Sequence, residues 1–303
     1  MSKTSSSRTS FAPASVLLIV VVFLSLALAI FLVQLRIDEA FGKYRNTEEI
    51  LYIENGAVLK KVLLGYESLA ADIYWLRTVQ YFGGQRLYDP DKRFDLLEPL
   101  LEITTDLDPH LKIAYRYGAI FLSEPWPRGV GIPIKGIALA DKAIRNNPDH
   151  WRFYLDKGFI YYWHLQDYQE AARVFLEGSE ISGAPHWMAG TAARSATRAG
   201  DRETGRMLWQ AMFDSAENEQ VRANAKMHLQ QISALDAIDE LGLVVETFEQ
   251  RTGHFPNGWD ELVAAGLLRG IPVDPVGEPY VLNPREMKIE ISESSFLAGL
   301  PTR

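Results

Sequence analysis

Residues 154–161 read Tyr154-Leu-Asp-Lys-Gly158-Phe-Ile-Tyr161, two bulky rings with a glycine between them at steps of four and three. Steps of that size place side chains on one face of an α-helix. The arrangement recurs as Trp75-x-x-Thr78-Val79-x-x-Phe82, Tyr115-x-x-Gly118-Ala119-x-x-Leu122 and Trp187-x-x-Gly190-Thr191-x-x-Arg194, with starts 40, 39 and 33 residues apart. A helical stripe returning at such intervals predicts a repeat array rather than a catalytic motif.

A second stripe follows each of the first: Leu97, Leu101, Thr104; Gly136, Ala140, Ala143; Ala171, Phe175, Gly178; and Gly205, Trp209, Met212. Each steps by four and then three, which marks one face of a partner helix. Small residues in the stripes let two antiparallel helices approach closely, and the aromatic residues fill the gap to the next pair. Trp75, Tyr115, Tyr154, Tyr161 and Trp209 are therefore expected in the core of the array. Pro109 and Pro148 each lie five residues past the last stripe position of their helix, where proline ends a helix and sets the turn into the next unit. Residues 83–93 and 124–133 are rich in Gly and Pro and are expected as loops between helices.

Over residues 70–216 these features resemble the tetratricopeptide repeat, with Asp167-Tyr-Gln-Glu-Ala-Ala172 followed by Phe175 as the nearest local match. The resemblance implies helix–turn–helix units of about 34 residues stacked into an α-solenoid. It also implies a groove lined by other residues of the first helices, which in the third unit are Arg152, Leu155, Phe159, Tyr162 and Trp163. The chain departs from the family pattern in its unit spacings, in Gly183 where a closing proline is expected, and in Arg194 where an aromatic is expected.

From Val16 to Val33 there are 18 consecutive residues without a charge. At ~1.5 Å rise per residue such a helix nearly crosses a ~30 Å hydrocarbon core. Residues 15–35 are read as a transmembrane helix, after a cytoplasmic tail over 1–14 and before a juxtamembrane helical segment over 36–69. A cleaved signal peptide is the alternative, with Ala27 and Ala29 at the spacing of a cleavage site. Lys3 and Arg8 on one side nearly balance Arg36, Lys43 and Arg45 on the other, so the positive-inside rule barely orients the span. By analogy with bacterial signal anchors, the expectation is a single-pass inner-membrane protein with its soluble part in the periplasm.

Beyond the repeats, apolar residues at threes and fours from Val221 to Phe248 predict a long helix over 217–250, unbroken or interrupted near Gly242, that covers the open face of the last unit. Residues 251–303 then change character: a short helix near Trp259, a turn, and two strands at Val281-Leu282 and Lys288–Ile291 around Asn283-Pro284. Gly253, Phe255, Pro256, Leu262, Asp274, Pro275, Gly277, Pro279 and Tyr280 follow the order seen in the carboxyl-terminal part of type II secretion major pseudopilins, which this segment resembles. That likeness implies a small α+β module and makes Asp274 and Glu278 weak candidate calcium ligands; the alternative is that Asp274-Pro275 simply starts a turn with Gly277 supplying unusual φ. A pilin reading of the whole chain lacks a Gly-Phe processing site with a following Glu ahead of the apolar segment.

The 303 residues include no cysteine and carry a net charge of −8 without a basic stripe along the chain, which argues against disulfides, thiolate metal sites and nucleic-acid partners. No His-Glu-x-x-His, phosphate-binding loop or Gly-x-Ser-x-Gly elbow is present. No cofactor and no enzymatic activity are expected. The fold expected is mainly α: an anchored repeat solenoid with a small α+β end. The function expected is a membrane-anchored scaffold for protein partners in a bacterial envelope assembly such as a pilus or secretion machine. The alternatives are a pseudopilin-like structural subunit and an enzyme acting on envelope glycans or lipids.

Overall fold

The computed structural model describes residues 21–33, 36, 56–88 and 91–298, and divides into two compact units, residues 1–54 and 55–303. In the first unit, residues 21–33 form a helix (α1) whose side chains are exposed. The remaining residues of the expected span, the tail over 1–14 and residues 37–55 of the expected juxtamembrane segment over 36–69 lie outside the described residues. Among the described residues, no helix is long and apolar enough to cross a membrane.

The second unit is mainly helical, with a small two-stranded sheet. After α2 (Gly56–Val62), antiparallel pairs follow in sequence: α3 (Glu67–Tyr88) with α4 (Leu97–Leu107), α5 (Lys112–Ser123) with α6 (Pro133–Asn146), α7 (Trp151–Phe159) with α8 (Tyr168–Ser179), and α9 (Trp187–Arg198) with α10 (Arg202–Asp214). Each pair touches its neighbours, as in a solenoid. Local chemistry starts these helices where they start. Asp167, Asp201 and Asn218 accept hydrogen bonds from the backbone N–H groups of Glu170, Thr204 and Val221 at 3.0, 3.0 and 2.9 Å, and Pro133 opens α6, where its missing N–H costs nothing.

The small residues of the stripes sit where helices approach most closely. A Cβ on Gly158 would meet three atoms of the Phe175 ring, with Cζ at 2.9 Å, and one on Gly118 would lie 2.8 Å from a Leu139 methyl. Tyr115, Phe153, Phe175 and Trp209 are fully buried in successive core clusters, and Trp75, Tyr154 and Tyr161 pack partly buried against them.

In two stripes the buried leading residue is the neighbour of the expected one, while Thr78 and Phe82 in α3 and Gly190 in α9 are buried where expected. In α3 the buried ring is Tyr74, while Trp75 turns toward α5 and stacks 6.4 Å from Phe121. In α9 the core residue is Met188, fully buried, while Trp187 is 52% exposed. The cause in α9 is the run Gly190, Ala192, Ala193, which sets the close face of the helix. Trp209 fills the space over Gly190, and Met188 fills the space over Gly178. A third difference lies at Gly83-Gly84, which do not begin a loop: α3 continues through both to Tyr88. Phe82, stacked 3.9 Å from Phe121 and 5.4 Å from Phe94, holds that turn against the core, which outweighs the ~1 kcal/mol helix penalty of each glycine.

Helix α11 (Glu219–Thr252) runs unbroken through Gly242 and packs its first half on α10. Gly253, at φ 78°, ends it in the left-handed conformation that glycine adopts without strain. The second half supplies Leu241, Val245 and Phe248 to a separate core shared with α12 (Trp259–Ala264), Tyr280 and Leu297. The Trp259 indole N–H donates to the Tyr280 carbonyl at 2.7 Å, and the Tyr280 hydroxyl donates to the Ala234 carbonyl at 3.3 Å, fastening the module to α11. Strands β1 (Val281–Asn283) and β2 (Lys288–Glu290) pair antiparallel, Leu282 opposite Ile289.

Candidate protein-binding face

The first helices of the repeats lie side by side, and their side chains join one unit to the next. Trp75 of α3 meets Tyr117 and Phe121 of α5 at 6.5 and 6.4 Å. Arg116 of α5 clamps Asp156 of α7 through two hydrogen bonds, Nε to Oδ2 at 2.6 Å and Nη2 to Oδ1 at 3.2 Å. Trp151 of α7 stands edge-on to Trp187 of α9 at 6.3 Å.

Helix α7 passes into a π-helical turn over Ile160–Leu165, which ends at Gln166 in the left-handed region at φ 55°. Such turns hold one residue more than α-helix and shift the side chains beyond them around the axis. Here the shift gathers four side chains. Trp163 stands edge-on to Tyr162 at 4.9 Å, and Tyr162 edge-on to Tyr168 at 5.1 Å. The Arg198 guanidinium lies over both tyrosine rings, 4.5 Å from Tyr168 and 5.4 Å from Tyr162, and donates to the Tyr162 hydroxyl at 2.9 Å. Trp163 nevertheless remains 65% exposed. An amphipathic ring in that position is available to an incoming chain at little entropic cost.

The five residues named from the sequence occupy different surroundings. Arg152 is exposed near the start of α7, 5.2 Å over the Trp151 ring. Leu155 is half-buried against the Phe175 and Met188 core. Phe159 is 36% exposed and edge-on to Phe175 at 5.3 Å. Tyr162 and Trp163 belong to the aromatic cluster, which is separated from Arg152 by about three helical turns. Tyr168 and Arg198 complete that cluster and were not among the expected residues. The only sequence signal for Arg198 is its place four residues after Arg194 on α9.

Electrostatics divide the face. Burial pushes the His150 imidazole below its ordinary value, and the nearby Lys112, Arg116 and Arg152 push it further. Burial raises the Asp156 carboxyl above its usual range, while the hydrogen bond and charge of Arg116 pull against that shift. His164 is lowered by burial, with Glu124 partly offsetting it.

In the carboxyl-terminal module, Asp274 is buried and accepts from the backbone N–H groups of Val276 and Glu278 at 3.0 and 2.9 Å and from the Ser295 hydroxyl. Glu278 accepts from the Ser294 hydroxyl at 3.2 Å. Gly277 takes φ 97°. These groups close a turn and tie the returning chain at Ser295 to it, which is how both carboxylates are used in the structure. Among the described residues, no three His, Cys, Asp or Glu side chains are grouped so as to hold a metal ion.

Comparison of the chain with protein-family models, with curated proteins and with solved structures finds no match.

Proposed function

We propose that this protein is a single-pass bacterial inner-membrane scaffold whose tetratricopeptide-like array, on the periplasmic side, captures partner proteins on its first-helix face. The observation that carries this reading is the exposed aromatic–guanidinium cluster of Tyr162, Trp163, Tyr168 and Arg198. Intramolecular packing alone gives no reason to leave Trp163 mostly in solvent, whereas binding surfaces concentrate Trp, Tyr and Arg. The anchor is supported by the uncharged run Val16–Val33 and by the helical, exposed, apolar side chains of residues 21–33. The association with a pilus or secretion machine is supported by the pseudopilin-like order of residues 253–280.

Two experiments test it. Washing membranes with alkaline carbonate should leave the full-length chain in the pellet, and recovery in the supernatant would remove the anchor. Partners co-purified with the wild-type chain should be lost with Trp163→Ala and with Arg198→Gln but kept with Met207→Ala, an exposed residue of α10. Equal recovery with all three variants would remove the first-helix face as the binding surface.

A further inference from the structure

Helix α11 and the terminal module border a cavity of about 530 Å³, within the ~300–1,000 Å³ of clefts that take ligands. One wall is α11, with Asp239, Gly242, Glu246 and Glu249 at steps of three, four and three, a stripe about 15 Å long. The other wall is Phe255, Met287 and Ile289. Leu243 and Met287, one from each wall, stay 65% and 64% exposed, so part of the apolar lining is uncovered. Gly242 lies inside an unbroken helix, where glycine is less favourable than alanine. Nothing lies within 4 Å of where its Cβ would be, so packing does not require glycine there, and its helical backbone does not either. What the missing side chain does is leave the cavity open. Asp239 is paired with Arg202 of α10 at 2.6 Å, but Glu246 and Glu249 have no ion-pair partner among the described residues. Lys288 also lines the cavity, with its ammonium 3.5 Å from Glu286. Apolar side chains thus stand beside an excess of negative charge, a combination that favours a cationic, partly apolar occupant.

We infer that this cavity docks a segment of a partner protein in which Lys or Arg alternates with apolar residues. The site is separate from the first-helix face, because its lining comes from α11 and the terminal module alone. An extended chain advances ~3.3 Å per residue and turns alternate side chains to opposite sides, so four or five residues span the stripe. Basic side chains on one side meet Glu246 and Glu249, their aliphatic stems covering Leu243. Apolar side chains on the other side meet Phe255, Met287 and Ile289.

The test uses full-length protein in non-ionic detergent micelles and three fluorescent synthetic peptides that share Leu at alternate positions and carry Lys, Gln or Glu at the others. The lysine peptide should bind roughly tenfold more tightly than the glutamine one, as two exposed ion pairs at the upper end of measured strengths provide. The glutamate peptide should not bind. The preference should collapse in high salt, where the screening length falls to about 3 Å. Gly242→Leu, which fills the cavity, should abolish binding without lowering the thermal midpoint. Glu246→Gln with Glu249→Gln should abolish the preference for lysine. Glu102→Gln with Glu180→Gln, which removes the same charge from exposed positions elsewhere, should preserve it. Trp163→Ala on the first-helix face should also leave it unchanged.

Binding of the lysine peptide that survives Gly242→Leu, or is lost with Trp163→Ala, would place it elsewhere and overturn the inference. Equal binding of the lysine and glutamine peptides, or a preference indifferent to the two glutamate substitutions, would overturn the basic occupant. Self-association of the wild-type chain that Gly242→Leu abolishes would make the occupant a second copy. A small apolar amine that binds the cavity more tightly than the lysine peptide would make it a small-molecule site. Either result would overturn the inference, and neither bears on the first-helix face.

Discussion

Two glycines in helices show how local space decides the sign of one substitution. Gly158 lies under the Phe175 ring, and a Cβ there would force the ring to move. Gly242 has nothing within 4 Å of where a Cβ would lie. Alanine normally stabilises a helix by ~0.5–1 kcal/mol over glycine. Gly242→Ala should gain about that much, whereas Gly158→Ala should lose about 1–3 kcal/mol to overpacking; urea unfolding measures both, and a gain at Gly158 would contradict the packing described. His228 makes the second prediction at this scale. Its ring stacks 4.1 Å from Trp209, its Nδ1 meets Gln231 Oε1 at 2.5 Å, and its buried Nε2 has no hydrogen-bond partner among the described residues. Burial lowers its affinity for a proton, with Arg194 adding to the effect and the Gln231 hydrogen bond opposing it. The folded state thus binds the proton less tightly than the unfolded chain, so stability should fall as pH drops below about 6.5, the ordinary histidine value. His150 and His164 shift the same way. His228→Phe, which keeps the stacking, should flatten the fall between neutral and mildly acidic pH; an unchanged slope would contradict this. Gly158 was legible in the sequence because a glycine in a bulky helical stripe has one common reason to be there. Met188 was not, because Trp187 beside it fits the same spacing and only the partner helix decides which of the two turns inward.

The elements differ in how much of them local pattern determines. Helix α11 was expected from periodicity alone, and its continuity through Gly242 follows from its two loads: α10 on the first half and the terminal module on the second. The π-helical turn of Ile160–Leu165 had no sequence signature, since an extra residue in a helix looks like any other until the partner helix α8 fixes the register on both sides. The hairpin was legible because Asn283-Pro284 lies between short apolar runs. Its attachment was not, because Trp259 and Tyr280 meet across 21 residues. That attachment is testable. Trp259→Ala removes a buried ring and the indole hydrogen bond at once, a loss of about 3–5 kcal/mol in a core that large. The repeat cores contain none of its residues, so limited proteolysis should cut residues 253–298 while a fragment retaining the repeats persists. Simultaneous loss of both would show that the module and the array fold as one.

At the scale of the whole molecule, the charge distribution says more than the total. A net charge of −8 without a basic stripe along the chain argued against nucleic-acid partners, and the acids lie largely off the first helices of the second to fourth units. That segregation could be counted only after the helices had been assigned to faces, which is why the repeat pattern was readable and the polarity of its surface was not. The same holds for the candidate site. Arg152, Leu155, Phe159, Tyr162 and Trp163 came from the resemblance to a repeat family, but the structure spreads them along the helix and joins only the last two to Tyr168 and Arg198. The central claim is that the first-helix face, and not the face of the second helices, receives a partner protein. Placing a photo-crosslinking residue at position 163 or at position 207 in the full-length chain, in its native membranes, tests this most directly. The account predicts a discrete protein adduct from position 163 that disappears with Arg198→Gln, and none from position 207; adducts of equal yield from both positions, or one at 163 indifferent to Arg198, would contradict it.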